Sequence, residues 1–242
     1  ITVGAVNDTG NMTSYSSWGP TDDGRIKPTV VADGGQSGAT IGSTYPAGSV
    51  FYPYAGLTGT SMAAPAVSGT AILLNQQFNK TYDRLPEPAT VKASLIHTAE
   101  DLGREGPDYK YGWGLVNATE AVDYVNNSKK KDLIKRDSLT SLGDSKTYEV
   151  SAPESENLKF TLVWSDYPAD SAAGPTLAND LDLIVKNSSG DRKYPYTLSW
   201  KNRTEPASQN SKDSKNVVEQ VEIDNSDNSY SITVNASNSI NG

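Results

Sequence analysis

Residues 66–74, Ala-Val-Ser-Gly-Thr-Ala-Ile-Leu-Leu, are small and apolar nearly all round. A helix with that pattern has to be enclosed by protein on most of its sides. Directly before it stands Gly59-Thr60-Ser61-Met62-Ala63-Ala64-Pro65. Pro65 suits the first turn, where its missing N–H costs no hydrogen bond. A polar Gly-Thr-Ser at the mouth of a buried helix gains nothing there that an ordinary cap could not supply. A serine hydroxyl is a poor nucleophile until a base takes its proton and donors hold the oxyanion. A helix N-terminus offers free N–H groups and the positive end of a dipole. Ser61 in that position can present its own N–H to an oxyanion. The plainer alternative is that Thr60 or Ser61 only caps the helix.

The seven residues resemble the nucleophile signature of subtilisin-like serine proteases, the subtilases. Other segments carry the same likeness in the same order. Ile1-Thr2-Val3-Gly4-Ala5-Val6 looks like a buried parallel strand of the subtilase sheet. Tyr15-Ser16-Ser17-Trp18-Gly19-Pro20 resembles the family's "FSS-x-GP", and Asp23-Gly24-Arg25-Ile26-Lys27-Pro28 the stretch before its "D-x-x-APG". Tyr111-Gly112-Trp113-Gly114-Leu115-Val116-Asn117 resembles the segment that closes the domain. One departure is visible: Ala32-Asp33-Gly34-Gly35 stands where Ala-Pro-Gly is usual, which removes a fixed φ angle. The resemblance covers roughly residues 1–125. It implies an α/β fold, the C-terminal half of a parallel-sheet catalytic domain. It also implies a serine endopeptidase acting on polypeptides, with Ser61 as nucleophile and Gly59 and Thr60 touching substrate.

The family chemistry needs three side chains, and in subtilisin they run Asp, His, Ser along the chain. The chain has one histidine, His97, and it follows Ser61. The base, its Asp and the oxyanion Asn are therefore expected from the N-terminal part of the catalytic domain, as a partner segment. This chain alone is expected to be inactive. Thr90–Leu102 reads as an amphipathic helix with Val91, Leu95, Ala99 and Leu102 on one face. That places His97 toward solvent, and Glu100 and Asp101 at a solvated helix end.

A net charge of −8 and a pI near 4.7 argue against nucleic acid and anionic membrane surfaces as partners. No apolar run reaches the ~20 residues of a membrane span. With no cysteine there is no disulfide or thiolate chemistry. Sequons begin at Asn7, Asn11, Asn79, Asn117, Asn126, Asn187, Asn202 and Asn235. They agree with the secreted or cell-surface setting that the resemblance implies.

The stretch 127–132, polar and lysine-rich, reads as a linker between a catalytic portion, 1–126, and an accessory domain, 133–242. From Leu133 the apolar period becomes 2. Lys146–Val150, Leu158–Ser165, Leu181–Lys186, Val217–Ile223 and Tyr230–Val234 read as strands, the last two as a hairpin closed by 224–229. Short strands without helices predict an all-β sandwich or jelly roll. Leu162-Val163-Trp164-Ser165-Asp166 and Asn179-Asp180-Leu181-Asp182-Leu183 resemble the KP-43-like subtilases, which carry a C-terminal β-domain. Asp180 and Asp182 share one strand face, and Asp166 ends a neighbouring strand. Such oxygen ligands suit Ca²⁺, which subtilases commonly bind, and otherwise form the wet face of a sheet. Two other readings stay open: a catalytically dead subtilase relative used for binding or structure, and one chain of a nicked two-chain protease.

Overall fold

Two apolar strands begin the chain's order. β1 (Val3–Val6) and β2 (Val30–Asp33) pair in parallel, with Val3 opposite Val30 and Val6 opposite Asp33. Parallel strands need cover on both faces, and both are buried almost throughout. The computed structural model describes residues 1–44, 54–153, 155–168, 177–224 and 229–237. The Tyr111–Asn117 segment lies along the far side of β2. Val31 N–H donates to the Gly114 carbonyl at 2.9 Å, and Val116 N–H to the Val31 carbonyl at 3.0 Å. The approach is close: a Cβ on Gly112, whose φ is +65°, would stand 2.1 Å from the Pro28 carbonyl oxygen. β3 (Ile41–Thr44) and β4 (Tyr54–Leu57) form an antiparallel ladder. Residues 45–53, between the two strands, lie outside the described residues.

Helix α1 (Thr60–Tyr82) packs against β1 and β2. Its buried residues Ala63, Val67, Thr70, Leu74 and Phe78 make one stripe at helical spacing. The expectation of an enclosed helix is corrected here. Ile72 is 69% and Leu73 49% exposed, beside exposed Pro65, Ala66 and Gly69. Pro65 also lies beyond the first turn, as the sixth helical residue. Having no N–H, it leaves the Ser61 carbonyl without its i+4 donor.

Helix α2 (Pro88–His97) is shorter than the expected Thr90–Leu102. It stops because Glu100 turns into an extended exchange with Leu115, two N–H···O bonds of 2.8 Å each. Helix α3 (Ala118–Lys131) begins on Asn117, whose side chain accepts from Glu120 N–H. It runs through the stretch expected as a linker. Lys129, Lys130 and Lys131 fill its last turn, where cations suit the helix dipole. Asp132, with φ 54°, ends it in the left-handed region.

Among the described residues, everything beyond α3 is strand or loop. β5 (Ser145–Ser151), β6 (Leu158–Val163), β7 (Leu181–Asn187), β8 (Arg192–Lys193), β9 (Val218–Ile223) and β10 (Ser229–Ala236) lie close to the sequence spans. They form an antiparallel sheet in the order β5-β10-β7-β8 and a separate β6-β9 ladder. The expected β9–β10 hairpin does not form: β9 pairs with β6, and β10 inserts between β5 and β7. Leu183, Val185, Val221, Tyr230 and Ile232 join the two sheets in one core. The halves of the chain also share a core, with Tyr196 and Val218 packed among Ile26, Trp113 and Leu95.

Candidate active site

Ser61 sits at the second position of α1, exposed to solvent. Gly59 precedes the helix at φ 152° and ψ 164°, a positive-φ conformation that favours glycine, with no side chain to cap the first turn. Its carbonyl accepts from Met62 N–H at 2.9 Å and Ala63 N–H at 3.4 Å. The N–H groups of Thr60 and Ser61, in the first turn of the helix, have no acceptor among the described residues. That is the donor arrangement an oxyanion needs. The cap reading of Thr60 and Ser61 is thereby set aside, since neither side chain closes the helix start.

The helix start is tied to the carboxyl end of β2. Gly34 N–H donates to the Val6 carbonyl at 2.9 Å, and Gly59 N–H to the Gly34 carbonyl at 2.8 Å. The Tyr15 hydroxyl donates to the Gly34 carbonyl at 2.8 Å or the Gly35 carbonyl at 2.5 Å. Ser16 Oγ accepts from Ala5 N–H at 2.9 Å, so its motif closes the outer edge of β1. Where a proline is usual, Asp33 Oδ1 accepts from Gly35 N–H at 2.8 Å and turns the chain instead. Ligand sites in open parallel sheets lie at the carboxyl ends of strands, and Ser61 stands at such an end. Tyr15 and Gly34 were missed as supports in the sequence. The only signal for either was its place inside a family segment.

His97 is not a partner for Ser61. Its expected exposure is corrected: Nδ1 lies 3.0 Å from Thr161 Oγ1 on β6, and its ring is 4.7 Å from that of Tyr124 on α3. Burial, with help from the Lys159 charge, pushes its pKa down to about 4. The helix packs β6 on the side that periodicity assigned to water.

Residues 1–114 match the subtilase family, peptidase S8. Subtilisin BL of Lederbergia lenta is 36% identical over 122 residues, 50% of this chain and 37% of that protein. The serine protease/ABC transporter B family protein tagA of Dictyostelium discoideum is 26% identical over 196 residues, 71% of this chain but 11% of tagA. A crystal structure of a lanthipeptide protease overlaps 51% of this chain and 40% of its own, at 29% identity and a TM-score of 0.45. The chain thus spans only a part of each relative's length.

Beyond the subtilase segment, the acidic residues separate. The Asp166 carboxylate accepts from the N–H groups of Tyr167, Ala178 and Asn179 and from Asn179 Nδ2, at 2.8–2.9 Å. It staples 178–179 to the end of β6, three of the bonds falling on Oδ1 and one on Oδ2. Asp182 is buried and ion-paired to Lys212 at 2.6 Å. Asp180 Oδ1 is buried without a hydrogen-bond partner. Two acids that the sequence reading passed over, Asp213 and Glu219, are buried with them. Glu219 Oε2 accepts from Leu183 N–H and bridges the two sheets, while its Oε1 has no partner. Burial, and the charges of Asp182 and Asp213, push Asp180 up to about 6. Among the described residues no three acidic or histidine groups gather as a metal cage. No described helix is long and apolar enough to cross a membrane.

Proposed function

We propose that this chain supplies the nucleophile half of a subtilisin-like serine endopeptidase. Ser61 attacks the scissile carbonyl of a bound polypeptide, and the acyl-enzyme forms on its Oγ. The free N–H groups at the start of α1 receive the oxyanion, and Gly59 and Thr60 border the substrate. The observation that carries the reading is Ser61 itself, exposed at an uncapped helix start on the carboxyl end of β2. A base is still required. The one histidine is packed against Tyr124 and engaged with Thr161 on β6, so the base comes from another segment, with its orienting Asp. The bare Ile72 and Leu73 face of α1 is where such a catalytic-domain segment would find apolar cover. The setting is secreted or cell-surface, as the subtilase likeness implies. Residues 133–242 serve as a β-sandwich or jelly-roll accessory domain of the KP-43-like kind.

A serine-reactive phosphonate tests this. The isolated chain should not be labelled, and Ser61 should be labelled once the upstream catalytic segment is supplied. Labelling of the isolated chain would show that the base lies within it. No labelling of the completed protein would favour a dead relative, and labelling on mixing two separate pieces would identify a nicked two-chain protease.

For calcium we propose a changed ligand set. Of the three acids, Asp180 leads, because its Oδ1 is buried without a partner while Asp182 is paired with Lys212 and Asp166 accepts four N–H bonds. A cation there would relieve carboxylates that burial now disfavours. The sign follows from linkage. Asp180 binds its proton more tightly folded than unfolded, so its charge costs stability above about pH 6. That cost fades as pH falls toward the unfolded value of 3.8. Asp180→Asn should therefore raise the melting temperature at pH 7.5 in chelator, with the gain gone near pH 4. Added Ca²⁺ should raise the melting temperature of the unmodified chain and not of the variant. Equal calcium shifts for both would remove Asp180 from the ligand set.

A further inference from the structure

A cleft of about 1380 Å³ runs between the subtilase segment and the β-rich half. One wall carries Trp113 and Pro88, and the other Trp164 and Val217. Trp164 is fixed by its indole N–H donating to the Asn179 carbonyl at 3.0 Å. Lys27, from the loop before β2, and Lys92, on α2, also line it. Both are half-buried, and among the described residues neither has a carboxylate at ion-pair distance.

The other charges in the cleft are already engaged or wet. Arg25 pairs with Asp23 at 2.9 Å, Asp166 accepts four N–H bonds, and Asp22 is exposed. Burial lowers both lysine pKa values, and the Lys27 charge adds to the effect on Lys92, which falls to about 8. Two ammonium groups drawn together out of water are costly without an anion. The chain carries 29 acidic side chains against 21 basic ones, yet among the described residues only the more distant charge of Asp23, itself paired with Arg25, acts on Lys27, and no carboxylate forms an ion pair with either lysine.

We propose that this cleft binds a carboxylate-bearing polypeptide segment, with acidic side chains on Lys27 and Lys92 and apolar ones against Trp113 and Trp164. Lysine ammonium groups suit carboxylate and phosphate alike as point donors. The cleft far exceeds a phosphate in size, and its aromatic and prolyl walls suit the side chains of a peptide. The site is separate from Ser61 and stands whether or not the protease reading holds.

The test uses the full chain and a capped, fluorescein-labelled Ala-Asp-Phe-Glu-Ala peptide. Binding should be at least about tenfold tighter than for the Asn/Gln isostere, and should weaken as salt rises. Lys27→Met with Lys92→Met should reduce it about tenfold or more. Without peptide, Lys92→Met alone should raise the melting temperature, since it removes an uncompensated charge while keeping the chain's length. Three results would overturn the proposal. One is equal affinity for the isostere. Another is inorganic phosphate displacing the peptide at equal concentration, which would mark a small-anion site. The third is a lower melting temperature for Lys92→Met, which would mean that a carboxylate of the chain already holds the lysine.

Discussion

Ser61→Ala, made in the protein that carries its base-bearing segment, should cut kcat by roughly six orders of magnitude. Covalent labelling by a phosphonate should vanish with it. The fold should not notice. Ser61 is exposed, and its hydroxyl has no hydrogen bond among the described residues. Removing one solvent-facing oxygen leaves no cavity and strands no buried partner, so the stability change should stay within about 0.5 kcal/mol. The two measurements together separate a nucleophile from a structural cap. A cap would lose about 1 kcal/mol of helix stability and only a matching fraction of activity. Retained turnover in the alanine variant would end the nucleophile reading.

The exposed helix start that carries Ser61 was legible because its signal is local. Gly59, Ser61 and the small residues that follow specify a helix start by themselves, and the turn that supports them spans only a few bonds. The strands of the second half were legible for the same reason: alternation over five to seven residues fixes a strand without knowing its neighbours. Partner choice is a different quantity. Nothing in 217–234 says that β9 pairs with β6 while β10 inserts between β5 and β7, because ladder hydrogen bonds are made by backbone that carries no address. The turn-rich stretch between them favoured a hairpin on chain proximity alone.

Burial of polar side chains was illegible for a related reason. The amphipathic rule assumes one covered face. Helix α2 is covered by β6 and by α3, so His97 is packed on the face that the rule gives to water. Glu219 alternates as an outward residue of a half-wet strand. The second sheet lies over it, and its carboxylate becomes a bridge to Leu183. The lysines of 129–131 looked like a solvated linker, yet a helix C-terminus favours the same residues. For His97 and Glu219 the element facing the residue was absent from the local sequence.

Gly34→Ala should damage the support of Ser61 with a single methyl group. An added Cβ would stand 2.6 Å from Ala5 Cβ, 2.8 Å from the Gly59 carbonyl oxygen and 2.9 Å from the Tyr15 hydroxyl. Two of these three are a core methyl and a backbone oxygen, which cannot swing aside as a flexible side chain can. Overpacking of that kind costs about 1–3 kcal/mol. The larger loss should be catalytic. The atoms it pushes are those that hold the start of α1, through Gly59 N–H on the Gly34 carbonyl. A displacement of about 1 Å at a nucleophile can cost about 10²-fold in rate. The expected result is a folded protein with a lower melting temperature and phosphonate labelling slowed by about 10²-fold. Tyr15→Phe supplies the contrast, because it removes the hydroxyl contact to Gly34 and Gly35 without adding volume. It should slow labelling less than Gly34→Ala. Unchanged labelling in the alanine variant would mean that β2 does not position Ser61.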